Sequence, residues 1–122
     1  MLTPEETVDH YIALWGPQSA AERAAHASAA LTEDAVLLYA NFDAHGVGDV
    51  LAAAEGWQQS QPGARIVRRT GVQHHKGCVR VGWTLVLADG TVGAEGQSIG
   101  VLAADGRLQR VFGFRDPLPG LS

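Results

Sequence analysis

Residues 65–90 read Arg-Ile-Val-Arg-Arg-Thr-Gly-Val-Gln-His-His-Lys-Gly-Cys-Val-Arg-Val-Gly-Trp-Thr-Leu-Val-Leu-Ala-Asp-Gly. A period of two runs through this stretch; Lys76-Gly77 divides it and Asp89-Gly90 closes it. Alternation bounded by Gly-containing turn dipeptides predicts antiparallel strands joined by tight turns. The same pattern continues past Thr91, and Asp105-Gly106 supplies a third turn, so residues 65–115 predict a four-stranded meander. Upstream, the period is helical. Thr3-Pro4-Glu5-Glu6 is a capping box with proline at the first helical position, and Val8, Tyr11, Ile12 and Trp15 then share one face up to Gly16-Pro17. Ser19 and Glu22 repeat the box before an Ala-rich helix that runs to Leu31. Ala35 to Tyr39 reads as a short strand and Asn41 to Gly46 as a loop. Val47, Val50, Leu51, Ala54 and Trp57 form the apolar face of a third helix, ended by Gln61-Pro62-Gly63. Three helices followed by one long antiparallel sheet make an α+β domain, with the sheet curved into a half-open cone.

Counting outward from two-residue turns assigns each strand residue to a face. One face carries Ile66, Arg68, Thr70, Val72 and His74, then Val79, Val81, Trp83 and Leu85, then Ala94, Gly96, Ser98 and Gly100. It is mostly apolar and small, so it is expected to face the helices, with Trp83 opposite the vacancy at Gly96. The other face carries Arg69, Thr84 and Glu95 in one row, an expected solvent or interface ion pair. Whether Phe112 and Phe114 or Gly113 and Arg115 point inward depends on whether Asp105-Gly106 is a two-residue turn or the centre of a longer loop.

With 122 residues, 46% apolar and 18% charged, the chain reads as one globular domain spanning 1–122. Nine basic against thirteen acidic residues give a net charge of -4, which offers no footprint for nucleic acid or anionic lipid. Cys78 is the single cysteine; it asks for no oxidising compartment and builds no zinc site. Acidic Glu5, Glu6 and Asp9 stand where a signal peptide would be basic, and no apolar run approaches the ~18 residues of a membrane span. A cytoplasmic protein without nucleic-acid or membrane partners is expected.

Among polar candidates, Tyr11 and Trp15 lie on a core-facing helix stripe, where aromatic packing is the commonest role, yet a buried tyrosine hydroxyl needs a partner. Tyr39 ends a strand near Asn41. His74 falls on the inward face near a hairpin tip, and neighbouring His75 points away, so the pair makes no metal site. Asp43 and His45 offer an acid and a base in a loop, where polar groups are usually solvated. Arg68 points inward to bind a carboxylate or enolate, or else snorkels to the rim. Ser98 lacks a sequence-adjacent base and a nucleophile-elbow turn, which leaves it a hydrogen-bonding role.

The ordered set of Thr32-Glu33-Asp34-Ala35, Gly46 before the third helix, and His74-His75-Lys76-Gly77 before Arg80 and Trp83 resembles a known family. It continues through Glu95-Gly96-Gln97-Ser98, Asp105-Gly106-Arg107-Leu108 and Val111-Phe112-Gly113-Phe114-Arg115-Asp116. Over nearly its whole length the chain is similar to the nuclear transport factor 2-like superfamily, in particular to bacterial SnoaL-like and ketosteroid-isomerase-like members. The resemblance implies a cystatin-like cone, a pocket between sheet and helices, and commonly a homodimer through the sheet. Tyr11 matches the helix-1 tyrosine that polarises a carbonyl in ketosteroid isomerases. Tyr39 stands at the position of their general-base aspartate and Ser98 at that of their second aspartate, so both carboxylates are absent and the resemblance argues against steroid-isomerase chemistry.

Two functions follow as expectations, because this fold hosts many activities. One is a cofactor-independent isomerase, cyclase or lyase on a small carbonyl compound, with catalytic groups from Tyr11, Tyr39, His74 and Ser98. The other is a non-catalytic dimeric ligand-binding or accessory domain. Both predict an apolar pocket between the first helix, the Tyr39 to His45 segment and the inner sheet face. Trp15, Trp57, Val81 and Trp83 are its expected walls, Arg68 a ligand contact, and no cofactor or metal is expected. A homodimer is expected through the face carrying Val67, Val86, Ile99 and Val101.

Overall fold

Two capping boxes set the first helices. The Thr3 side chain accepts from the Glu6 amide and the Glu6 carboxylate from the Thr3 amide, opening α1 (Pro4–Ala13). Ser19 and Glu22 make the same exchange at the start of α2 (Ala20–Ala30). The computed structural model describes residues 1–121. Its further elements are β1 (Leu31–Tyr39), β2 (Phe42–His45), α3 (Val47–Ser60), β3 (Arg65–Arg68), β4 (Gln73–His75), β5 (Cys78–Val86), β6 (Val92–Leu102) and β7 (Leu108–Arg115). Three helices pack on one curved sheet, the α+β architecture expected.

The sheet is mixed, which corrects the expected all-antiparallel arrangement. Its order is β2-β1-β7-β6-β5-β3, with β4 also paired to β5, and β1 runs parallel to β7. Leu38 of β1 lies beside Phe112 of β7, so a strand from the helical half joins the last strand of the meander. The segment expected as a loop at Asn41 to Gly46 contains β2, which folds back on β1 through Ala40-Asn41, a turn without glycine. The second helix ends at Ala30, one residue early, because Leu31 already has extended backbone.

The expected first meander strand is broken into β3 and β4. Arg68 pairs with Trp83 whereas Gln73 pairs with Arg80, so two extra residues bulge between them. Thr70 in that bulge accepts from the Gly82 amide, and the Arg69 amide donates to the Gly82 carbonyl, so the interrupted ladder stays satisfied. Because the excess is two, the even-numbered residues keep the inward side.

The β5–β6 register is the one expected, with Val81 opposite Ser98 and Trp83 opposite Gly96. It is reached by a different route: the Leu87 amide donates to the Thr91 carbonyl across a loop with Gly90 at φ 88°, and a one-residue irregularity beyond Leu85 restores the count. The β6–β7 hairpin repeats the device, with Gly106 at φ 86° and an irregularity beyond Val101. Ser98 therefore pairs with Gly113, which turns Val111, Gly113 and Arg115 inward and decides the alternative the turn left open. Lys76-Gly77 is the tight two-residue turn expected, with His75 paired to Cys78.

The core lies between the inner face and the helices, around Val8, Leu14, Ala27, Leu37, Val50, Ala54, Val79 and Val111. Arg23 is buried at the α1–α2 junction, where its guanidinium donates to the carbonyls of Leu14 and Gly16 past the end of α1. Gln58 of α3 donates to the carbonyls of Trp15 and Ala64 and accepts from the Gly63 amide. Both residues satisfy backbone groups that the apolar pattern could not account for.

Candidate functional site

α1 and the turn that follows it carry Tyr11 and Trp15 over the sheet, and the parity of β1, β5 and β6 turns Tyr39, Trp83 and Ser98 towards them. These side chains meet. Tyr11 Oη lies 2.7 Å from Tyr39 Oη, which lies 2.9 Å from Ser98 Oγ, and Trp83 Nε1 donates to Ser98 Oγ at 3.0 Å. Two glycines make room. A Cβ at Gly96 would stand 2.6 Å from Trp83 Cζ2, and a Cβ at Gly113 would fall on the Tyr39 ring. Tyr39 also stacks on Phe42, with centroids 4.9 Å apart and planes 6° apart, and Phe42 meets the edge of Trp15.

Donor inventory limits the chain to two orders. An indole N–H can only donate, so Ser98 Oγ accepts from Trp83. With the Ser98 hydroxyl donating to Tyr39 and the Tyr39 hydroxyl donating to Tyr11, every proton is used except that of Tyr11. The reverse order would leave the Ser98 proton without an acceptor among its contacts. Each order thus leaves one hydroxyl proton free beside the cavity, that of Tyr11 in the first and that of Ser98 in the second. Burial, with the neighbouring Tyr39 adding to it, pushes the Tyr11 hydroxyl well above the ordinary tyrosine range, and burial raises Tyr39 as well. Both remain neutral donors.

The chain forms the polar end of a cavity of about 350 Å³. Its walls are Trp15, Trp57, Val81 and Trp83, as expected, together with Ile12, Phe42, Ala53, Ile66 and Leu85. Ala40, Asn41, Gly113, Phe114 and Arg115 also line it. Among the described residues, no Asp, Glu, His, Lys or Cys lines it.

His74 does not join the site, which corrects its expected place among the polar groups. It is exposed at the β4–β5 tip, with Nε2 3.3 Å from Glu5 on the first turn of α1. Arg68 does not line the cavity either; its Nε lies 2.9 Å from Asp9 on α1. Asp43 and His45 do pair, at 2.8 Å, but both are exposed and neither lines the cavity. Phe42, Gly113 and Arg115 were not identified from the sequence as site residues. The first sits in the unrecognised β2, and the others awaited the register of β7. Among the described residues there is no cluster of three or more groups able to hold a metal ion, and no helix is long and apolar enough to cross a membrane.

Fold and site thus define an α+β cone with one apolar chamber closed by a neutral hydrogen-bonded end. The chain carries the fold of the nuclear transport factor 2-like superfamily, and its structural neighbours match the SnoaL-like resemblance. A candidate isomerase of the SnoaL-like family from Agrobacterium tumefaciens is 26% identical, with 95% of this chain and 100% of that chain covered and a TM-score of 0.86. A nuclear transport factor 2-like protein of unknown function from an Exiguobacterium species is 17% identical, over 90% and 98% of the two chains, at 0.73. A candidate polyketide cyclase from Sinorhizobium meliloti is 15% identical, over 89% and 94%, at 0.67. In comparisons of sequence, no family model and no curated protein matches this chain.

Proposed function

We propose that the protein binds a small, largely apolar molecule through one acceptor oxygen, a carbonyl above all, held by the Tyr11 hydroxyl. The observation that carries this reading is the Tyr11–Tyr39–Ser98–Trp83 chain, which leaves one neutral donor for the cavity. At about 30 Å³ per water-sized group, the volume admits on the order of a dozen such groups. The non-catalytic reading is favoured because proton abstraction needs a positioned base, and none of the lining side chains is one. The pH-stable donor at Tyr11 supports an isomerase or cyclase as the second reading, in line with the two neighbours so described. Such an enzyme would polarise its carbonyl through Tyr11 and take its proton acceptor from outside the walls.

Assembly as a homodimer through the convex face is part of the proposal. Leu38, Val67 and Phe114 are exposed there, beside half-buried Phe112, Ile99 and Val101. Light scattering at micromolar concentration should give twice the chain mass of 12.9 kDa; a monomer mass counts against it.

Titration with butyrophenone, read by tryptophan fluorescence, tests the pocket. Tyr11→Phe should weaken binding about fivefold to tenfold while lowering stability by about 1 kcal/mol. Deuterium incorporation beside the ketone, followed by NMR, separates the two readings: acceleration by the wild type that is lost in Tyr11→Phe selects the enzyme, and no acceleration selects the binder. Unchanged affinity in Tyr11→Phe refutes the assignment of the donor.

A further inference from the structure

We propose that the ligand is an amphipathic acid, with its neutral oxygen on Tyr11 and a carboxylate at the cavity mouth on Arg115. This rests on the ligand-pocket reading above and adds the class of compound the pocket selects. Among the described residues, Arg115 is the only ionisable one in the cavity wall besides the two tyrosines. It faces inward because it pairs with Gly96, and Gly96 pairs in turn with Trp83. Trp83, Gly96 and Arg115 thus form one row across three strands, and the indole lies over the glycine in the middle.

Arg115 makes no ion pair and no side-chain hydrogen bond among the described residues, although acidic groups stand close in sequence and register. Asp116 follows it directly and Glu95 precedes Gly96, yet both carboxylates lie on the convex side, where Arg69 binds them. Thr84 also donates to Glu95. The two acids that would neutralise the mouth are therefore held on the opposite face. A guanidinium carries a fork of donors matched to a carboxylate, and one left free at the rim of an apolar chamber is a ready counter-ion.

The spacing sets the shape of the ligand. Ser98 and Gly113 pair at the level of the hydroxyl chain, and Gly96 and Arg115 pair two residues further along, about 7 Å by strand geometry. A keto oxygen and a carboxylate separated by several methylenes span that interval, and the apolar body lies against the tryptophan walls.

The test compares δ-benzoylvalerate, a phenyl ketone joined to a carboxylate by four methylenes, with its methyl ester, both read by tryptophan fluorescence at low ionic strength. The acid should bind about fivefold tighter than the ester, the size expected of an ion pair at an open mouth. High salt should remove that preference. Arg115→Gln should bring the ratio to about one, Arg115→Lys should keep most of it, and Arg110→Gln, on the other side of β7, should keep all of it. Equal binding of acid and ester to the wild type overturns the inference and leaves the pocket reading standing. Binding of neither overturns both. A preference that persists in Arg115→Gln also overturns it, because the carboxylate is then read elsewhere.

Discussion

Trp83 and Thr84 are neighbours on β5, and Glu95 and Ser98 lie close on β6, yet the two faces of these strands hold different kinds of polar row. Inside, Tyr11, Tyr39, Ser98 and Trp83 make a chain of neutral groups, each within hydrogen-bonding distance of the next. Outside, Arg69 contacts Asp116, Glu95 and the Gly96 carbonyl, and Thr84 donates to Glu95, all at partly exposed positions. Burying an unpaired charge is far more costly than burying a hydroxyl that finds a partner, so the buried part of the inner face keeps neutral donors, and the ions stand on the outer face or, as Arg68 and Arg115 do, at partly exposed inner positions. Under the proposed function the cavity holds an oxygen through these neutral donors, and Asp43, His45 and Glu95 stand outside its lining.

The largest effect should come from Gly113→Ala, which drives a methyl group into the Tyr39 ring and forces the inner row apart. A loss of about 3 kcal/mol in urea denaturation is expected, with altered tryptophan emission. A loss below about 1 kcal/mol would mean that Tyr39 moves freely and the row is not rigid. Ser98→Ala comes next. It leaves the Trp83 N–H buried without an acceptor and should remove about 2 kcal/mol. On the outer side Arg69→Ala should cost about 1 kcal/mol or less, and roughly 0.5 M salt should shrink the difference further. A larger cost for Arg69 than for Ser98 would reverse the comparison.

The smallest effect is in pH. Folding raises the hydroxyl pKa of both Tyr11 and Tyr39, so their contribution is fully present below the ordinary tyrosine value of 10.0 and is lost as pH rises through the folded values. The pair should add no slope to stability between about pH 6 and 9 and a downward slope above about pH 10. Tyr11→Phe should flatten that alkaline limb; flattening by Arg69→Ala instead would assign it to the outer row.

Much of this was legible in the residues. The Thr3–Glu6 and Ser19–Glu22 boxes fixed where α1 and α2 begin, and the parity of two hairpins fixed which face Trp83, Val81 and Ser98 occupy, even though the β5–β6 loop is longer than its dipeptide suggested. Tyr11, Tyr39 and Ser98 came together as the helix phase and strand register require. His74 was misplaced for a physical reason: it has the inward parity, but there it meets the exposed first turn of α1 at Glu5 and not the cavity, and alternation does not tell which part of a helix a strand residue faces. Arg68 also has the inward parity, but the bulge of two residues left no mark on the pattern, and from its place opposite Trp83 it turns to Asp9. The direction of β1 was hidden as well, since a parallel and an antiparallel neighbour bury the same alternate residues.

The parallel seam between β1 and β7 bears on the order of events in folding. Helices and short hairpins form within about 0.1–10 μs, and α1, α2 and the β5–β6 hairpin need only contacts close in sequence. Tyr39 and Ser98 are 59 residues apart, and the Gly113 surface on which Tyr39 rests comes later still along the chain. Closing such distant contacts is what slows folding in proteins of high contact order. A nascent chain that has not yet delivered β7 from the ribosome would hold its helices and its central hairpin, but no floor beneath Tyr39. The chamber should thus be the last part of the molecule to acquire its native packing, and the first part to lose it when β7 detaches.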